Sequence, residues 1–139
     1  MNFTKNQTTI QEFSIAAYGR VLAENGMNHY VSLLEEGILS EDEILEEFMS
    51  NKEASVRYPS TQSNSDTVIL VFMNVLNREP ASEEGLEFWT NRLESGGLNK
   101  TQLVQEVLDT ARGASGADKQ QLDNKLSIAE YYLNALSLY

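Results

Sequence analysis

The chain has no cysteine, and among its 139 residues only two prolines, one tryptophan and one histidine. Without cysteine there is no disulfide, no thiolate nucleophile and no zinc site of the cysteine type. A lone histidine, His29, excludes paired-histidine metal motifs and would leave a serine, histidine and acid triad hanging on one residue. Bases are scarce as well: ten against 21 acids, a net charge of −11 at pH 7. Affinity for nucleic acid comes largely from Lys and Arg neutralising phosphates, so nucleic acid is not expected as a partner. Direct attraction to anionic lipid fails for the same reason. No apolar run approaches ~18 residues and the start, Met1 to Ile10, is polar, so neither membrane insertion nor a cleavable N-terminal signal peptide is expected.

What is present is ordinary globular composition, 41% hydrophobic, in a length that suits one domain over residues 1–139, since domains hold ~100 to 200 residues. The apolar residues recur at helical spacing. Phe13, Ile15, Ala16, Ala17, Tyr18, Val21 and Leu22 predict a first helix between Gln11 and Leu22. Gly26 interrupts. Met27, Tyr30, Val31, Leu33 and Leu34 then predict a second, stopped by Gly37. Ser40 and Glu43 form a capping box ahead of a third stripe, Ile44, Leu45, Phe48 and Met49. A polar connector runs from Tyr58 to Ser65. The plan then returns, with Asp66 as a cap for Val68 to Leu76, Ser82 as a cap for Leu86, Trp89 and Leu93, and Asn99 with Gln102 as a second capping box before Leu103 to Ala111. After a loop from Gly113 to Asp118, a last helix carries Leu122, Leu126, Ala129, Leu133 and Leu136.

The halves superpose at an offset of about 59 residues: Gly26 on Gly85, Tyr30 on Trp89, Gly37 on Gly96, Ser40 on Asn99, and Ile44 to Met49 on Leu103 to Leu108. In the first helix the offset is about 54, which places five extra residues in the second copy's turn from Asn77 to Ser82. The expectation is an internal duplication, 11–57 and 66–112, with a closing helix over 118–136. Each repeat offers three short amphipathic helices, too little for an isolated core, so the copies must shelter one another. The fold class is therefore all-α, a single bundle of about seven helices, in which Tyr30 and Trp89 fill the centres of equivalent three-helix contacts.

The second copy reads Phe72 to Leu76, Asn77, Arg78, Glu79, Pro80, then Gly85, Leu86, Glu87, Phe88, Trp89, and finally Leu93 to Gly96. This resembles a bacterial family of domains without assigned function, whose signature is Leu-Gly-Arg-x-Pro-Asp, a short turn, and Gly-Leu-x-Tyr-Trp. The segment Asn124 to Tyr132 is similar to what often follows that domain. The resemblance covers about 66 to 136 and extends in degenerate form back to about residue 11, with Ser50 and Glu53 after the third helix. Asn77 stands for the usual Gly and Ala81 for the usual Asp, and the first copy lacks the Arg-x-Pro element. Members resemble the phycobilisome linker domain in helical plan and occur in S-layer, repeats-in-toxin and adhesin proteins, which often leave by type I secretion.

The resemblance implies a non-enzymatic module that anchors a secreted surface protein, with cell-surface polysaccharide or lipopolysaccharide as partner, or another surface protein if the module is an assembly linker. An accessory domain of a carbohydrate-active enzyme is a further alternative. It places the chain at the cell surface, or in the cytoplasm if the chain truly ends at Tyr139. An acidic domain meeting an anionic glycan implies a divalent cation, with calcium as the candidate.

The residues themselves give mostly structural expectations. Arg78, Pro80, Gly85, Trp89, Gly96, Gly26, Tyr30 and Gly37 form a structural signature, with Trp89 turned to the core and Arg78 pinning its turn through carbonyls or Glu83, Glu84 or Glu87. Glu41, Asp42, Glu43, Glu46 and Glu47 suit the first turns of a helix. Asp109, Asp118, Asp123 and Asn124 flank a glycine loop that could hold one hard cation, against an N-cap at Asp118. Catalytic carboxylate pairs need a cleft, which a small bundle rarely has. No residue is therefore assigned to catalysis, to a cofactor or to a resident metal.

Overall fold

The computed structural model describes residues 2–137, all helix and loop. Eight helices follow in order: α1 (Lys5–Tyr18), α2 (Glu24–Glu35), α3 (Glu41–Ser50), α4 (Lys52–Arg57), α5 (Asn64–Leu76), α6 (Glu83–Glu94), α7 (Lys100–Gly113) and α8 (Ala117–Leu136). The expected all-α bundle is what forms, with one short helix more than the stripes announced. That helix, α4, is capped by the Asn51 side chain, which accepts from the Ala54 amide. It has six residues and a single buried side chain, Ala54. So short an element leaves no periodicity to read.

Helices α1 and α5 lie at the centre and pack on each other. Their faces explain why: Ile10, Phe13, Ala16 and Ala17 on α1, and Val68, Val71 and Val75 on α5, have no exposed surface. Each central helix carries its own flanking helix, α2 on α1 and α6 on α5. Helices α3 and α7 meet each other, and α8 closes over α1, α5 and α7. The halves thus join through corresponding helices, first to first and third to third.

Several local expectations change. Helix α1 starts at Lys5, before the apolar run, because Thr4 and Gln7 complete a capping box at 2.9 and 3.1 Å. It ends at Tyr18 on a left-handed Gly19, so Val21 and Leu22 belong to the following loop. The buried amide of Gln11 fixes that loop, donating to the Leu22 carbonyl and accepting from the Leu22 N–H, both at 2.9 Å. Gly26 sits inside the first turn of α2 and does not precede it. Asp66 is not the cap of α5; the Ser63 hydroxyl accepts from the Asp66 amide. Likewise Gly116 takes the N-cap of α8, and Asp118 stands in its first turn.

The boxes at Ser40 with Glu43 and Asn99 with Gln102 form as expected, and Ser82 caps α6. Gly37 and Gly96 both take positive φ, 71° and 77°, where an L side chain is strained. The left-handed stops of the central helices are Gly19 and Asn77. From Gly19 to the cap Ala23 is one residue shorter than from Asn77 to the cap Ser82. The turn in the second half is therefore longer by one residue, not five. The fourfold spacing of apolar residues made two registers fit equally, and only the cap geometry separates them.

Candidate functional site

Arg78 follows the left-handed Asn77 and forms a clamp. Its Nη1 donates to the Glu79 carbonyl at 2.9 Å, while Nε and Nη2 donate to the two oxygens of Asp118 at 2.9 Å each. Its guanidinium lies 5.6 Å from the centre of the Phe72 ring. The pairing with Glu83, Glu84 or Glu87 gives way to Asp118 because α8 brings that carboxylate over the turn. Arg20, one residue past Gly19, does the same in the first half. Nη1 donates to the Val21 carbonyl at 3.1 Å, Nε and Nη2 to Glu53 at 2.7 and 2.6 Å, and the guanidinium lies 5.1 Å from the Tyr18 ring. Only the proline of the Arg-x-Pro element is missing from the first half. Both carboxylates stand at the second position of the helix that follows the third one, and each is held below the usual carboxylate range by its arginine's hydrogen bonds. The clamps fasten elements, Arg20 tying its loop to α4 and Arg78 its turn to α8.

The aromatic pair is less central than expected. Tyr30 and Trp89 are half-buried, against Phe48 at 4.7 Å and Phe72 at 6.3 Å between ring centres. They rim the core because α2 buries only Met27 and α6 buries no side chain completely. The Tyr30 hydroxyl donates to Glu47 at 3.3 Å, and burial together with that carboxylate pushes its pKa up to about 12. In the first turns of α2 and α6, a Cβ on Gly26 would meet Leu22 at 3.3 Å and one on Gly85 would meet the Ser82 hydroxyl at 3.3 Å. Pro80 is half-buried in the turn before α6. His29 is exposed, edge-on to Tyr30 at 5.2 Å.

The four oxygen donors around the glycine loop do not converge on one point. Asp109 pairs with Arg112, Asp118 with Arg78, Asp123 with Lys119, and Asn124 accepts from Gln120. In the acidic run, Glu43 closes a cap, Glu46 accepts from Ser50 and Glu47 from Tyr30. Among the described residues no group of three or more such side chains could hold a metal ion.

The feature the sequence did not announce is a groove of about 430 Å³ along the seam of the two halves. Asp42, Leu45 and Glu46 of α3 form one wall, Gln102, Gln105 and Glu106 of α7 the other, and Leu98 with Asn99 the end; Arg92 reaches in from α6. Glu106 grips Arg92 through two bonds of 2.6 and 3.0 Å. The guanidinium lies 5.3 Å from both the Phe88 and the Trp89 ring centres, and Phe88 is 55% exposed. An aromatic shelf thus runs into a polar trough through one arginine. The signal was available: Phe88 and Arg92 stand one turn apart on α6, where side chains meet, on the side away from Leu86 and Leu93.

A second cavity, about 560 Å³, opens between the first turns of α1 and the start of α8. Its one buried charge is Glu12, whose Oε1 accepts from Arg112 at 2.5 and 3.0 Å. Burial raises the Glu12 pKa, and the Arg112 hydrogen bonds oppose the rise. Lys5, Lys119, Glu41 and Asp123 complete a rim of both signs, and the half-buried Phe3 is its one aromatic residue.

Residues 45–111 match one family model, described as a domain of unknown function (DUF4214). The match spans just under half of the chain, from within α3 to near the end of α7. It includes the Arg78 turn, the aromatic shelf and both walls of the groove from Leu45 onwards. Neither a curated protein nor a solved structure matches the chain.

Proposed function

We propose that the chain is a non-catalytic binding module of a bacterial surface protein of the S-layer or adhesin kind, and that it holds a cell-surface glycan in the groove between α3 and α7. The observation that carries this reading is the arginine shared by shelf and trough. Sugars present hydroxyls, which need donors and acceptors side by side, and apolar C–H faces, which need a flat ring. Arg92, Gln102, Gln105 and Glu106 supply the first; Phe88, with the edge of Trp89, supplies the second. Ligand sites commonly combine a concave surface with a few convergent polar groups in this way. In this reading the module works at the outer surface of the cell.

An anionic polysaccharide meets a chain of charge −11, so a divalent ion must sit between them. Asp42 and Glu46, one turn apart on the groove wall, are the carboxylates placed to share it with the ligand. Titration calorimetry with purified cell-wall polysaccharide and with lipopolysaccharide, in calcium and then in chelator, tests this. Binding in calcium is expected, weakened at least tenfold by Phe88→Ala or Arg92→Gln. Absence of binding in both conditions removes the glycan from the proposal.

A further inference from the structure

Helix α8 has two apolar faces and the fold uses one. Leu122, Leu126, Ala129 and Leu133 are buried against the bundle. The second row stands out in solvent: Ile128 is 63% exposed, Tyr131 77%, Tyr132 51% and Leu136 50%. Half of the large hydrophobic side chains exposed in the described residues are gathered on these nine positions. Elsewhere the surface is acidic, yet between Asn124 and Ser137 the only charged residues are Lys125 and Glu130, which cancel. We propose that this face pairs with the same face of a second copy of the chain, the two α8 helices crossing antiparallel at Tyr132.

Two properties select that occupant. A strongly charged partner would gain nothing from a neutral strip, whereas a second copy, itself at −11, meets repulsion over the rest of its surface and is spared it here. The row is also symmetric in character about its middle. A two-fold interface must be self-complementary, and with the axis at Tyr132 the residue four before it, Ile128, falls opposite the residue four after it, Leu136. Rows of side chains four apart are the ridges that interdigitate in the commonest class of helix crossing. One strip of this length is small beside the ~800 Å² that each partner buries in a standard interface. The pair is therefore a reversible one, and salt strengthens it by screening the like charges. This goes beyond the glycan reading, whose groove involves none of these residues.

Sedimentation equilibrium of the full chain from about 10 µM to 1 mM, at low and at high salt, tests the pairing. A monomer–dimer equilibrium that shifts towards dimer in high salt is expected. Ile128→Asp and Tyr132→Asp should each weaken it at least tenfold with an unchanged helical circular dichroism spectrum, while Arg92→Gln in the groove leaves it intact. Because the chain has no other thiol, Tyr132→Cys should be oxidised by dissolved oxygen to a covalent dimer near the axis, and Val56→Cys, on α4 and more exposed at 76% against 51%, should do so far more slowly. A chain that stays monomeric at 1 mM in both salts overturns the proposal, as does a dimer indifferent to both Asp substitutions.

Discussion

Asn77 shows how much one backbone angle governs. It is the only non-glycine residue with positive φ among the described residues, 58°, and its amide returns to the Met73 carbonyl to stop α5. The resemblance had marked it as a departure, asparagine where glycine is usual. The left-handed conformation removes the puzzle, since asparagine is among the few side chains that tolerate it. Asn77→Ala is expected to cost about 1 kcal/mol and Asn77→Gly to be neutral or slightly stabilising. Urea unfolding midpoints separate the two outcomes. The loss should be local, but Arg78 follows directly, so a misplaced cap also loosens the clamp on α8.

At the scale of elements, the amphipathic helices and the caps at Ser40, Ser82 and Asn99 were legible because each rests on residues within one or two turns, whereas the caps at Thr4, Asn51, Ser63 and Gly116 were not. Ser40 with Glu43 and Asn99 with Gln102 need no tertiary context to be recognised. Interactions across long sequence gaps were not legible. Nothing local ties Arg20 to Glu53, Arg78 to Asp118 or Glu12 to Arg112, and the groove is the space left when α3 and α7 settle together. The clamps give these elements a pH dependence. Asp118 and Glu53 have lowered pKa values in the folded chain. Their stabilisation is therefore full above the ordinary carboxylate pKa of ~4 and is lost as pH falls through the lowered value. Glu12 has the opposite sign, because burial raises it; its contribution is present in acid and lost as pH rises through its folded-state pKa. Asp118→Asn should accordingly be less stable than the parent at pH 7, by no more than about 1 kcal/mol for so accessible a pair. The two unfolding curves should converge as pH falls below the ordinary carboxylate pKa of ~4 and through the lowered value, as equilibrium urea titrations at stepped pH will show.

In the molecule as a whole, the core is shared and the outer helices are not. Phe48 is fully buried and touches Phe13, Tyr18 and Tyr30 at ring-centre distances of 6.3, 5.2 and 4.7 Å. The Tyr58 hydroxyl, from the end of α4, and the Asn74 amide, from α5 across the seam, both donate to the Ala16 carbonyl, at 2.8 and 3.1 Å, taking up a group that the end of α1 leaves without a helical partner. Phe48→Ala is expected to cost about 3 to 5 kcal/mol, enough to unfold both halves together in one transition, whereas Phe88→Ala on the exposed shelf should change stability by about 0.5 kcal/mol or less. Thermal melts followed by circular dichroism distinguish them. The single tryptophan has a practical use beyond its packing. Trp89 leans on the guanidinium that walls the groove, so anything settling there alters the field around the indole, and its fluorescence serves as a built-in gauge of occupancy without any attached dye.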